Sequence, residues 1–335
     1  MYYDMKKWIE ALPKSKKALP ILSCPSIKLL GVSVKEIINS AELQAKGIKA
    51  VADRVDSAAS VSLMDLSVEA ECFGATVRFS EDEVPSVTGR LVGSEEQANA
   101  LVVPKVGSAR SGIYVDAIRR AVTLINDRPV LAGMIGPFSL AARLMDVTEI
   151  MMDCYDDPDT VHIVMEKATE FLINYAKAYK EAGANGIMLA EPVAGLLSPA
   201  LEQEFASPYV KKIVDAVQTD DFVVIYHNCG AGVPVMVKSI ASTGCAGYHF
   251  GNAVSMKEML DKMPSDVPVM GNVDPASQFR LGTPQSVKTA TAELLKECSR
   301  YDNFVISSGC DIPPESPWEN IDAFFEAVKE YGGNE

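Results

Sequence analysis

Short, almost unbroken apolar runs recur along the chain at 19–24 (LPILSC), 59–66 (ASVSLMDL), 128–136 (RPVLAGMIG), 185–192 (NGIMLAEP), 221–228 (DFVVIYHN), 246–252 (AGYHFGN), 267–272 (VPVMGN) and 303–309 (NFVISSG). Continuous rather than alternating runs suit strands of a parallel sheet that is covered on both faces. Between them, apolar residues return at helical spacing. Residues 157–183 predict a long helix, capped by Asp157 or Asp159 and closed by Gly183. Residues 207–218, 254–263 and 284–300 predict further helices. Strand–helix alternation repeated eight times predicts an α/β fold, a (β/α)8 TIM barrel filling 1–335 as a single domain. No glycine-rich phosphate loop follows any run, which disfavours an open doubly wound sheet. An amphipathic N-terminal extension precedes the first run. A stretch at 71–87 (ECFGATVRFSEDEVPSV) predicts a β-hairpin insertion after strand 2, placed as a partial lid over the catalytic face.

In such a barrel, residues at the C-terminal strand ends converge on one site. Those ends carry Cys24, Asp65, Glu191, His227 with Cys229, His249 with Asn252, Asn272 with Asp274, and Cys310 with Asp311. The sharpest element is the YHNCG at 226–230. Residues i and i+2 of an extended chain project to the same side, so His227 and Cys229 can face one ion. Cys310, at the end of the last run, supplies a third donor. Two thiolates and an imidazole suit Zn2+, and three protein ligands leave an exchangeable position, the catalytic rather than the structural arrangement. Gly230 and Gly309 allow the backbone to turn tightly beside these donors. A buried cysteine can also be a small core residue, and Cys72, Cys154, Cys245 and Cys298 read that way, as does Cys24. His162 lies inside the long helical pattern and reads as structural. Tyr226 should point away from the site by strand alternation.

The segments 136–145 (GPFSLAARLM), 191–199 (EPVAGLLSP), 270–275 (MGNVDP) and 308–324 (SGCDIPPESPWENIDAF) resemble motifs of the uroporphyrinogen decarboxylase superfamily. The His–x–Cys pair with the late Cys resembles its branch of zinc-dependent corrinoid:thiol methyltransferases. The resemblance implies zinc ligands at His227, Cys229 and Cys310. It also implies a methylated corrinoid (cobalamin) as co-substrate, and a small-molecule methyl acceptor, a thiol or tetrahydrofolate. No cobalamin-binding DxHxxG pattern is present, so the corrinoid would arrive on a separate corrinoid protein. Relatives often carry a Glu near the end of the sixth strand as a fourth ligand. Here that region reads GYHFGNAV, with His249 and Asn252 the nearest candidates.

Around the metal, Glu191, His249 and Asp274 are the candidate catalytic residues. Glu191 and Asp274 could equally accept backbone hydrogen bonds at turns. His249 could be a ligand, a base or a hydrogen-bonding residue. Asn252, Asn272 and Asp65 are candidate contacts to a bound cofactor.

Composition narrows the alternatives. The formal charge of −14 repels polyanions and excludes nucleic acid as a partner. It also disfavours an octa-anionic porphyrinogen, because the first 50 residues hold no arginine to grip propionates. Porphyrinogen decarboxylation is therefore the runner-up activity, and a non-catalytic tetrapyrrole-binding protein the third. Seven scattered cysteines point to free thiols or metal ligands in a cytoplasmic protein. No signal peptide or membrane-spanning run is evident, and a monomer or homodimer is expected.

Overall fold

Seven of the eight apolar runs form one parallel sheet in the computed structural model, which describes residues 3–333. Its strands are β1 (Ser60–Val61), β4 (Val130–Ile135), β5 (Gly186–Ala190), β6 (Val223–Asn228), β7 (Gly247–Phe250), β8 (Val269–Val273) and β9 (Phe304–Ser308), paired in that order. Between the first two lies a separate antiparallel pair, β2 (Thr76–Arg78) with β3 (Ser86–Thr88). That is the expected hairpin, but it begins later than predicted because Val68–Cys72 forms a helical turn. Val84, near its tip, lines a small cavity together with Cys24, Ile27 and Asp65.

The expected strand at 19–24 is not formed. Residues 18–22 run extended between β9 and the approach to β1: Leu19 N donates to Ile306 O at 3.1 Å and Ala58 N donates to Ala18 O at 2.8 Å. Pro20 has no N–H, so the stretch cannot build a regular ladder. Side chains from β9 make up part of the difference: Ile21 N donates to Ser308 Oγ at 3.1 Å and Ser307 Oγ donates to Leu19 O at 2.7 Å.

Strand alternation sorts the core into two layers. Met188, Ala190, Val223, Ile225, Met270 and Val305 face inward, where Met5 and Ile9 join them. These last two lie on the helix Met5–Ala11, which is tied to the loop before β6 through Asp220 O, and so the N-terminal extension closes the end of the sheet opposite the strand C-termini. Ile187, Leu189, Val224, Tyr226, Tyr248 and Phe250 face outward against the helical layer. The longest helix, Pro158–Glu181, is capped by Asp157, whose side chain accepts from Thr160 N, and the chain leaves it through Gly183 at φ +99°. No helix of the described residues is long and apolar enough to cross a membrane.

Glu69, on the helix Val68–Cys72, is buried. One of its oxygens accepts from Ile135 N at 3.1 Å and the other has no partner among the described residues. Burial pushes its carboxyl up from 4.5 to about 8. The folded chain therefore holds a proton that the unfolded chain releases, and this group's contribution to stability falls as pH climbs from about 4.5 to about 8. Glu69→Gln keeps an acceptor for Ile135 and cannot ionise. Its melting temperature relative to the wild type should rise between about pH 5 and about pH 8.5, read by differential scanning calorimetry. An unchanged difference would show that Glu69 is ionised in the folded protein throughout.

Candidate metal centre

Two strand ends deliver the site. β6 carries Val223, Ile225 and His227 on its inward face, with Cys229 next on the same side. β9 ends at Ser308, and two residues later, past Gly309, comes Cys310. Donor atoms of His227, Cys229 and Cys310 all lie within 4.8 Å of one another, and Cys310 Sγ is 3.5 Å from His227 Nε2. His227 is buried, whereas both thiols are half-buried and face the open end. The glycines make this closeness possible by approach rather than by left-handed turns. A Cβ on Gly230 would fall 2.6 Å from Gly195 Cα, and one on Gly251 would fall 2.5 Å from Cys229 Cα.

The thiols share charge. A hydrogen bond from Cys310 holds Cys229 as a thiolate well below the usual thiol range, and His227 adds to this. The same bond, together with burial, pushes Cys310 well up. One proton between two sulfurs, beside an imidazole nitrogen, is a ready set of soft donors for a divalent ion. The donor chemistry fits zinc.

His249 is not one of the converging donors. Register pairs it with His227 across β6 and β7, so both rings project inward side by side. Its Nδ1 lies 2.8 Å from His227 Nδ1 and its Nε2 lies 2.7 Å from Ser307 Oγ, so neither nitrogen faces the thiols. Burial first, and then His227, keeps this imidazole well below its usual pKa and neutral.

The other candidates are held in local structure. Glu191, after β5, is fully buried and accepts from Phe138 N (2.8 Å), Ser139 N (3.0 Å) and Ser139 Oγ (2.7 Å). It thereby caps the helix Pro137–Met145. Burial pushes its carboxyl up to about 7 against those three bonds. Its own N–H donates to His227 O at 2.8 Å, so this helix is fastened directly to the centre. Asp274 accepts from Ala276 N and Ser277 N and is a helix cap. Asn272 donates to Gly251 O and Val254 O, both at 2.8 Å, and clamps the loop after β7. Asn252 is exposed on that loop, beside Gly309. Asp65 is buried and bonded to Arg110, Tyr114 and Ser67, which leaves it no free edge for a ligand. His162 bonds Tyr209 at 2.7 Å on the outer helices, and Tyr226 faces outward. Cys24 is buried 3.3 Å from Asp311, whose carboxyl burial pushes up to about 7.

Periodicity gave no sign of Ser307 or Arg143. Ser307 reads as one more small residue in a strand, and only its inward register reveals it. Arg143 sits on the helix Pro137–Met145, partly buried, with its Nε buried and unpartnered among the described residues. Asp65, the carboxylate that acts on it electrostatically, is bonded to Arg110 and Tyr114. A lone arginine in an otherwise apolar helix, SLAARLM, was the available signal.

A family model described as Uroporphyrinogen decarboxylase (URO-D) matches residues 26–331. The chain is 29% identical over 274 residues to the Methylcobamide:CoM methyltransferase MtbA of Methanosarcina acetivorans, covering 80% of this chain and 78% of that protein. It is 30% identical over 257 residues to the uroporphyrinogen decarboxylase of Coxiella burnetii, covering 72% and 68%. Among solved structures, a methyltransferase from Methanosarcina mazei superposes with a TM-score of 0.86 at 26% identity, covering 98% of this chain and 99% of that one.

Proposed function

The chain belongs to the uroporphyrinogen decarboxylase family, and within it we propose a zinc-dependent methyltransferase that moves a methyl group from a methylated corrinoid to a thiol. The observation that carries this reading is the convergence of one imidazole and two thiols within 4.8 Å at adjoining strand ends. A porphyrinogen decarboxylase has no use for such a set. Similarity to a methylcobamide:CoM methyltransferase and to a solved methyltransferase supports the same branch. Residues 18–22 stand in for the eighth strand of the barrel.

His227, Cys229 and Cys310 would hold the ion. Zinc bound there would keep an acceptor thiol deprotonated, and two thiolate ligands would offset the ion's charge so that the acceptor stays nucleophilic. The acceptor sulfur's electron pair forms the new S–C bond while the Co–C pair remains on cobalt, so methyl-Co(III) becomes Co(I). The corrinoid comes on a separate partner protein. Glu191 holds the helix Pro137–Met145 against the centre, and Asn272 holds the loop after β7. Arg143, on that same helix and with its buried Nε unpartnered among the described residues, suits an acceptor with an anionic tail.

The test follows cob(I)alamin formation from methylcobalamin with mercaptoethanesulfonate, mercaptopropionate, mercaptoethanol and tetrahydrofolate. The sulfonate and carboxylate thiols should be the better acceptors. Arg143→Leu should raise their KM by about tenfold, the worth of one charge-assisted hydrogen bond, and leave mercaptoethanol nearly unchanged. Full activity after zinc removal, or release of CO2 from uroporphyrinogen by metal-free protein, would overturn the reading.

A further inference from the structure

We infer that His249 and Ser307 are positioning residues that fix the tautomer of His227, so that its bare Nε2 is the nitrogen turned toward the thiols. The inference rests on the zinc reading for its purpose, but the hydrogen-bond argument stands on the geometry alone. Leu19 O is a carbonyl and can only accept, so Ser307 Oγ, 2.7 Å away, donates to it. A hydroxyl has one hydrogen, and this bond uses it. His249 Nε2, 2.7 Å from the same Oγ, must then carry a proton and donate. A neutral imidazole carries only one N–H, so His249 Nδ1 is a lone pair. His227 Nδ1, 2.8 Å from it, must therefore be the protonated nitrogen. That leaves the lone pair of His227 on Nε2, which is the atom 3.5 Å from Cys310 Sγ.

The opposite tautomer of His227 would break this chain somewhere. With Nδ1 bare it could only accept, His249 would have to donate from Nδ1, and its bare Nε2 would then need the proton Ser307 gives to Leu19. All three side chains are buried, so the broken bond would leave a polar group unpaired away from water. A penalty of that kind biases the tautomer by roughly tenfold to a hundredfold. The origin of the polarity is Leu19, next to Pro20 in the stretch that cannot form a ladder. Its carbonyl accepts from the Ser307 side chain. Of the three roles open to His249 from the sequence, ligand, base or hydrogen-bonding residue, it takes the last, exerted through His227.

Two buried hydroxyls fasten the segment 18–22, and this gives an internal control. Ser307 reaches Leu19 O and belongs to the chain, while Ser308 accepts from Ile21 N and does not. The full-length protein, labelled with 15N at histidine, is to be examined zinc-loaded and after chelation, with zinc affinity measured by competition against a chelator. Stripped wild type should show His227 protonated at Nδ1 and bare at Nε2. Ser307→Ala should mix the two tautomers and weaken zinc by about tenfold, and His249→Ala should weaken it by about tenfold to a hundredfold. Ser307→Thr, which keeps the hydroxyl, should restore both readouts, and Ser308→Ala should leave both unchanged. A bare Nδ1 on His227 in the stripped wild type overturns the inference. So does equal weakening by Ser307→Ala and Ser308→Ala, which would mean that the segment is merely structural. A bare Nε2 in protein that takes up no zinc overturns the zinc reading while the tautomer assignment stands.

Discussion

Cys229→Ala protein should come through purification nearly free of zinc, against about one ion per chain in the wild type, by metal analysis of the purified protein. The expected size follows from sharing. If about 12 kcal/mol of zinc binding is spread over three protein donors, losing one costs about 4 kcal/mol, or about a thousandfold in affinity. Cys310→Ala should behave alike, since its sulfur stands 3.5 Å from His227 Nε2 and completes the same set. Cys24→Ala supplies the contrast. That thiol is buried rather than half-buried, is bonded to Asp311 and is not one of the converging donors. It should keep its zinc. Cys229→Ser, nearly the same size, tests whether loss of metal is separate from loss of fold. Stoichiometric zinc in Cys229→Ala, or equal loss in Cys24→Ala, would remove the basis for the metal centre.

The donors were legible because their geometry is a strand property. An i, i+2 pair at a strand end and a cysteine at another strand end need only alternation and parallel register to meet, and both follow from unbroken apolar runs. The strand at 19–24 was misread for a related reason. An apolar run looks the same whether or not its backbone can pair, and Pro20 decides that question by lacking one hydrogen. Glu191 and Asp274 illustrate a different limit. A carboxylate after a strand is equally placed to meet a substrate or to cap the next helix, and only the distances to Phe138, Ser139, Ala276 and Ser277 separate the two. His249 lay further out of reach. Its role depends on which nitrogens face His227 and Ser307, a matter of cross-strand register that spacing along one chain does not encode.

Asp65 shows the same ambiguity resolved through charge, and its partner gives the largest expected loss of stability. Arg110 is 5% exposed, and its guanidinium binds Asp65, the Ser67 hydroxyl at 2.7 Å and the Glu71 carboxylate at 2.7 Å. The Tyr114 hydroxyl also donates to Asp65, at 2.8 Å, so the carboxylate is buried and fully engaged. The network joins the loop after β1 to the start of the helix Ser111–Leu124 and closes the insertion over the sheet. Arg110→Leu removes the only cation bonded to a buried carboxylate among the described residues of this network, and breaking such a pair from one side costs about 3–5 kcal/mol. Urea unfolding should show that loss. Arg110→Lys should fall between, because an ammonium keeps the charge but not the planar fork that meets three acceptors. The double variant Arg110→Leu with Asp65→Asn should recover a large part of the single variant's deficit, since the remaining buried group is then neutral. If Asp65 instead contacts a bound cofactor, Asp65→Asn alone would lower activity with little change in stability, and the double variant would show no recovery. Coupling between the two substitutions is thus the measurement that separates a scaffold carboxylate from a working one.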